Sequence, residues 1–239
     1  MRQLWQRSNV SPAEQTKTKP PGARRRGDGA GLRKRQREII DAAAEIFYRK
    51  GYSETSVQDV ADAVGILKGS LYYYIDSKED LLFQMLLEVH EDAKSVVTET
   101  TALDIPPLDR LRVYIQHHVE YNARNLAKIA VYYHDFGLLT PERRLAIVGQ
   151  RNFYEDFVKG LITEAQQSGD VDPSVDPRLI SNAIFGVANW LYTWYKPGGS
   201  ASPEYLGKLY AELIVEGVMG RNMPKPPPSS APAKRRRRS

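Results

Sequence analysis

The side chains that could carry out chemistry are concentrated in the middle of the chain, from His90 to Phe157. Four histidines, His90, His117, His118 and His134, raise a metal or catalytic reading, and their spacing argues against it. His117 and His118 are adjacent, so on a helix they point about 100° apart, and no His, Asp or Glu lies four residues from either. His134 and Asp135 diverge in the same way. There is no cysteine, no nucleophile motif, no glycine-rich phosphate loop and no paired metal ligand. An enzyme is therefore not expected, nor a bound cofactor or metal. What the same stretch offers is a belt of aromatics and histidines: Tyr114, His117, His118, Tyr121, Tyr132, Tyr133, His134, Phe136, Phe153, Tyr154 and Phe157. Rings with a few polar tips suit a lipophilic ligand bearing one hydrogen-bonding end. The same residues at helical spacing also describe an ordinary core.

The frame that must position them is helical. A chain of 239 residues, 41% hydrophobic, is long enough to bury a core, as one large domain or two small ones. No run of eighteen apolar residues exists to span a bilayer and no apolar secretory stretch opens the chain, so a cytoplasmic location and no membrane partner are expected. The net charge of +5 is uneven. Residues 1–37 hold 11 Lys/Arg against 2 Asp/Glu and residues 221–239 hold 7 against none, so the ends carry +16 and the middle −11. The ends, 1–31 and 221–239, are Pro-, Gly- and Arg-rich without apolar periodicity and read as disordered basic arms. Such arms either raise DNA affinity through counterion release or only aid solubility.

Between the arms nearly every segment has helical spacing and none a sustained strand alternation, which predicts an all-α fold. A first helix over 32–50 presents Ile40, Ala43, Ala44 and Phe47 on one face and stops at Gly51. A short second helix starts at Thr55 or Ser56, where Ser56 and Asp59 form a capping-box pattern, and buries Val57, Val60, Ala61 and Val64 before Gly65. A third covers 68–74, and a long helix starts at Lys78. Two short helices joined by a glycine turn, with Ile66 pinning the corner, have the form of a helix-turn-helix that sets its second helix in a DNA groove. Helices over 78–101, 107–125, 127–136, 141–168, 176–195 and 203–220 complete the chain. This predicts a helix-turn-helix domain at 32–78 and a helical body at 79–220, to which the family resemblance described next assigns effector binding and dimerisation.

The segment Thr55-Ser-Val-Gln-Asp-Val-Ala-Asp-Ala-Val-Gly65-Ile-Leu-Lys-Gly69-Ser-Leu-Tyr72-Tyr-Tyr-Ile-Asp-Ser77-Lys-Glu-Asp-Leu81 resembles the tetracycline-repressor (TetR) family of transcriptional regulators. The resemblance covers residues 35–82. Two positions depart from the pattern: Leu67 stands where a serine often caps the recognition helix, and Ile75 where phenylalanine is usual. Carried over residue by residue, the resemblance places Lys68, Gly69, Ser70, Tyr72 and Tyr73 toward double-stranded DNA, with Ser56 and Gln58 from the preceding helix and Lys78 as a phosphate clamp. The chemistry is suitable: Ser70 and Tyr72 can donate to phosphate, Lys68 can reach phosphate or a guanine edge, and Gln58 can pair with adenine. Tyr74 and Leu71 are expected in the core.

So small a reader needs a second copy one DNA turn away, and the resemblance implies a homodimer on an inverted-repeat operator, built from the last two long helices. Ile180, Ile184, Val187 and Leu191, then Leu206, Leu209 and Leu213, are the interface candidates, although such stripes can equally face their own core. Trp190-Leu-Tyr-Thr-Trp194-Tyr-Lys-Pro-Gly-Gly199 is similar to the loop between those helices in members that sense acyl-coenzyme A thioesters. That likeness implies a small-molecule effector of the acyl-CoA class, released repression, and Tyr114, His118, Tyr121, Tyr132, Phe136, Phe153, Phe157, Trp190 and Trp194 as its site. Arg143, Arg144 or Arg151 could meet the headgroup. A DNA-binding architectural protein without effector is the alternative, with the basic arms as its main feature.

Overall fold

The computed structural model describes residues 28–219, and the expected basic arms therefore lie almost wholly outside the described residues. Helix α1 (Asp28–Lys50) ends at Gly51, whose φ of +89° reverses the chain without a Cβ penalty. Helix α2 (Val57–Ala63) begins with the expected capping box: the Ser56 hydroxyl accepts from the Asp59 amide at 3.1 Å and the Asp59 carboxylate accepts from the Ser56 amide at 2.6 Å. Gly65, φ +67°, makes the turn into α3 (Lys68–Leu71). This helix is shorter than its pattern predicts. After Leu71 the chain tightens, with the Tyr73 amide donating to Ser70 and the Tyr74 amide to Leu71, both three residues back. Three consecutive tyrosines are middling helix formers, and nothing beyond them sustains the helix before Ser77 caps α4 (Lys78–Thr101).

Proline at the first helical position starts α5 (Pro107–Arg124), and α6 (Leu126–Asp135) follows after a single residue. A 3₁₀ turn at Phe136–Leu138 leads into α7 (Pro141–Gln167), again opened by proline. Asp176 caps α8 (Pro177–Asn189), which tightens into a 3₁₀ segment, Trp190–Thr193, before α9 (Pro203–Met219). Among the described residues there is no strand. None of these helices is long and apolar enough to cross a membrane.

Two apolar clusters organise the packing. One joins α1, α2, α3 and the first half of α4 through Ile40, Phe47, Val60, Leu71, Ile75 and Leu82; the other joins α5, α7, α8 and α9 around Leu111, Ile115, Leu161, Ile184 and Val215. Burying a side chain such as Phe47 contributes roughly 2 kcal/mol. α6 lies with the first cluster: Ala127, Ile129, Val131 and Tyr132 pack with the head formed by α1–α3 and the start of α4. α5 and α9 approach so closely that a Cβ at Gly207 would sit 2.7 Å from the Gln116 carbonyl oxygen.

Candidate functional site

The outer surface of the head is built from the turn between α2 and α3. Gln58, Lys68, Gly69, Tyr72 and Tyr73 are exposed, Tyr73 to 87%, and Ser70 is half-buried among them. No atom lies within 4 Å of where a Gly69 Cβ would be, so the backbone there is open to a close-approaching phosphate. Leu71 and Ile75 face the core and Tyr74 packs against it, as three tyrosines on successive helical directions require. Leu67 provides no side-chain cap, so the first amides of α3 are left for an outside acceptor.

Two other residues expected at DNA have different tasks. The Lys78 ammonium donates to the carbonyls of Tyr52, Ser53 and Thr55 at 3.0, 3.3 and 2.8 Å and lies 4.4 Å from the Tyr52 ring centre, so it closes the loop between α1 and α2 instead of projecting as a clamp. The Ser56 hydroxyl is held in its capping box, where it and the Ser56 amide, with Lys50, lower the Asp59 carboxyl to about 2. Sequence reasoning missed Arg35, whose guanidinium donates to the Val64 carbonyl at 2.7 Å and ties α1 to the turn. Their separation of 29 residues leaves no local signal.

Where the two apolar clusters meet there is a cavity walled by Val89, Ala93 and Val96 of α4, His118, Tyr121 and Asn122 of α5, Ile129 and Tyr132 of α6, Tyr154 of α7, and Asn189 at the end of α8. Of the expected ligand residues, His118, Tyr121 and Tyr132 line it. Tyr114 stands behind, stacked on His118 at 5.8 Å, with Phe157 edge-on to it at 5.5 Å, and Phe136 stacks on Tyr132 at 6.1 Å. Phe153 and Trp194 point outward, and Trp190 lines an outer groove with Tyr133, Phe185 and Tyr192 that shares Asn189 with the cavity. The outward turn of Phe153 follows from helix geometry: its neighbour Tyr154 takes the inner direction. Asn122 was missed although it stands four residues after His118, on the same face.

The polar end of the cavity is a small network. His118 Nε2 lies 2.7 Å from the Asn189 amide oxygen, and Asn122 donates to that oxygen at 3.1 Å and to the Ala188 carbonyl at 3.2 Å. Burial lowers the His118 basicity, with the Asn189 contact opposing it, so the ring is a neutral hydrogen-bonding group. His90, between Tyr132 and Tyr154, is buried with neither ring nitrogen partnered, and desolvation brings it down to about 4, with Lys94 and Arg151 adding to the effect. The buried Tyr114 hydroxyl is likewise unpartnered. Burial raises the Tyr132 phenol to about 12. The cavity volume is about 30 Å³, which admits on the order of two waters.

On the far side, α8 and α9 present an apolar groove. Of the residues expected at a dimer interface, Val187, Leu209 and Leu213 are exposed, Ile180 and Ile184 are buried but line the floor of this groove, and Leu191 and Leu206 are buried in the chain's own core. The outer stripe is Leu179, Ala183 and Val187 with Tyr205, Leu209 and Leu213; Val187 is 50% and Leu213 63% exposed. One residue of helix is a rotation of about 100°, which separates the two faces. Arg143 is engaged by Asp80 at 2.9 Å and Glu79 at 3.6 Å, and Arg151 by Glu155 at 3.1 Å. Arg144 makes no ion pair among the described residues.

Two family models match this arrangement: "Bacterial regulatory proteins, tetR family" over residues 39–85, and "Tetracyclin repressor-like, C-terminal domain" over residues 104–218. The chain belongs to the TetR family. As a family member with an intact helix-turn-helix, it is a DNA-binding transcriptional regulator. Among its relatives, the HTH-type transcriptional repressor KstR2 of Rhodococcus jostii is 27% identical over 200 residues, 83% of this chain and 97% of that protein. The fatty acid metabolism regulator protein of Bacillus subtilis is 27% identical over 76% of this chain and 94% of its own length. The solved structure of AibR in complex with isovaleryl coenzyme A and operator DNA superposes with a TM-score of 0.67 at 29% identity, covering 77% of this chain and 98% of that one.

Proposed function

We propose that this TetR-family regulator is a repressor that grips an inverted-repeat operator as a homodimer and lets go when an acyl-CoA-class effector enters the cavity between its two apolar clusters. The observation that carries this reading is the cavity's position. Its walls come from α4 and α6, which also pack into the DNA-reading head, and from α5, α7 and α8 of the body. Ligand pockets for molecules of this size measure about 300–1,000 Å³, so an acyl chain cannot enter a 30 Å³ space without displacing those walls. A ligand that fits only a rearranged head shifts the population away from the DNA-binding state. The apolar cavity wall suits an acyl chain, and the His118–Asn122–Asn189 end can hydrogen-bond a carbonyl or hydroxyl. The relatives named for fatty-acid metabolism and for isovaleryl coenzyme A support the same ligand class.

The homodimer reading rests on the exposed apolar Val187, Leu209 and Leu213, of which Val187 and Leu213 line one groove between α8 and α9. Gln58, Lys68, Gly69, Ser70, Tyr72 and Tyr73 form the DNA-reading surface, and of the three arginines expected at a CoA headgroup Arg144 is the one without an ion pair among the described residues. The test is a footprint on duplexes selected by the protein from a random pool, repeated with isovaleryl-CoA, palmitoyl-CoA and palmitate. A palindromic footprint erased by one of the thioesters is the expected result. Protection without a palindrome, unaffected by all three, would favour an architectural DNA-binding protein.

A further inference from the structure

One wall of the cavity is wired to α1 through charge. Tyr121 lines the cavity with its ring and donates its hydroxyl to Asp92 Oδ2 of α4 at 3.0 Å. The other carboxylate oxygen of Asp92 faces Arg37 Nη2 of α1 at 3.7 Å, and Arg37 Nε lies 3.2 Å from Glu88 Oε1, one turn earlier on α4. That oxygen also accepts from Lys128 Nζ of α6 at 2.9 Å, and Lys128 reaches back to Asp41 Oδ1 of α1 at 2.6 Å. Residues 37 and 41 share a face of α1, as 88 and 92 share a face of α4. The result is a ladder of two cations and three carboxylates across three helices, whose uncharged last rung is a phenol in the cavity wall.

Not every rung carries equal weight. Arg37 is largely exposed, and its ion pairs are screened by water. The Lys128 side chain is only 8% exposed and Glu88 only 11%, so this part of the ladder is geometrically demanding: shifting α1 by a fraction of a turn would take Asp41 away from a buried ammonium and leave it Glu88 alone. The apolar contacts around it tolerate sliding, whereas the ladder, together with the Gln36 amide of α1 donating to Gln84 of α4 at 2.7 Å, fixes register. Burial pushes the Tyr121 phenol above its ordinary value, so it remains a neutral donor and Asp92 the acceptor.

We propose that Tyr121 is the positioning residue through which the cavity reports its occupancy to the DNA-reading head. With the cavity closed, its hydroxyl holds Asp92 toward Arg37 and keeps α1 in register with α4 and α6. A ligand that displaces the Tyr121 ring releases Asp92, and α1, which anchors the turn before the recognition helix through Arg35, loses that register. This rests on the cavity being the effector site, and its test is separable from that reading.

The test uses the full chain and a duplex selected by the wild-type protein, with no CoA compound present. Tyr121→Phe removes one hydroxyl and leaves the ring; Asp92→Asn removes the charge it holds. Each is expected to weaken duplex binding at least fivefold, with the double variant no weaker than about twofold below the worse single. Amide exchange should rise in α1 over Arg37–Ala44 and stay unchanged in α9. Tyr121→Phe affinity within twofold of wild type, or tighter, overturns the proposal, as does unchanged α1 exchange. Palmitoyl-CoA added to wild type judges only the effector reading: failure to release the duplex counts against that reading and leaves the ligand-free result standing.

Discussion

Lys68 and Lys78 are the same residue type ten positions apart in one motif, and their surroundings give them opposite consequences. The Lys68 side chain is exposed, so Lys68→Ala should weaken duplex binding and flatten its salt dependence by about one unit of slope if the contact is to phosphate, with an unchanged melting temperature. Lys78 is consumed by three carbonyls, so Lys78→Met should lower stability by about 2 kcal/mol and weaken binding only through that loss. Parallel salt titrations and melts distinguish the two; a thermally unaffected Lys78→Met would restore the clamp. His90 provides a second residue-scale outcome. Its folded value of about 4 lies below the ordinary 6.5, so the unfolded chain takes up the proton first, and stability falls as pH drops from 6.5 toward 4. The loss by pH 5 is about 2 kcal/mol. His90→Phe, keeping the ring stack, should remove that slope in urea unfolding at pH 7.5 and 5; an unchanged slope assigns it elsewhere. At this scale the sequence shows which side chains are polar and roughly where they stand. It does not show the carbonyls that Lys78 and Arg35 reach, which lie more than twenty residues away and are brought in by packing.

Helices were legible because their signals are local. The Ser56–Asp59 box, Gly51, Gly65 and the prolines at 107, 141, 177 and 203 set ends that fall within a few residues of expectation. Rotation was less legible. On α8 and the 3₁₀ segment that continues it, the stripes 180–184–191 and 179–183–187 are both apolar, and nothing in periodicity says which one turns inward. The core takes Ile180, Ile184 and Leu191, and the outer stripe stays exposed, where the proposed second copy would pack. Leu213→Asp should therefore yield a folded monomer, with a helical circular-dichroism spectrum like wild type but at least tenfold weaker duplex binding, because each half-site is then bound alone. A dimer by light scattering after this substitution would place the interface elsewhere. α6 illustrates a further limit: its sequence belongs to the body, while its apolar face packs into the head.

Across the whole molecule, charge and cavity are arranged so that reading and regulation are physically distinct. The described body is acidic, which disfavours its contact with DNA; in the proposed reading DNA meets Gln58, Lys68 and Tyr73 of the head, and the basic surplus lies toward the chain ends. The aromatic belt was visible in the sequence as a belt; that its inner ring lies between two clusters follows only from how α4 and α6 are shared. If occupancy of that space governs DNA binding, thermodynamic linkage requires the reverse: operator DNA must expel the effector by the same factor. The decisive measurement is the affinity of the acyl-CoA giving the largest thermal shift, titrated calorimetrically with and without a saturating duplex. At least tenfold weaker binding in the presence of DNA is expected. Equal affinity in the two titrations would contradict it, because a ligand that does not distinguish the two states cannot shift them.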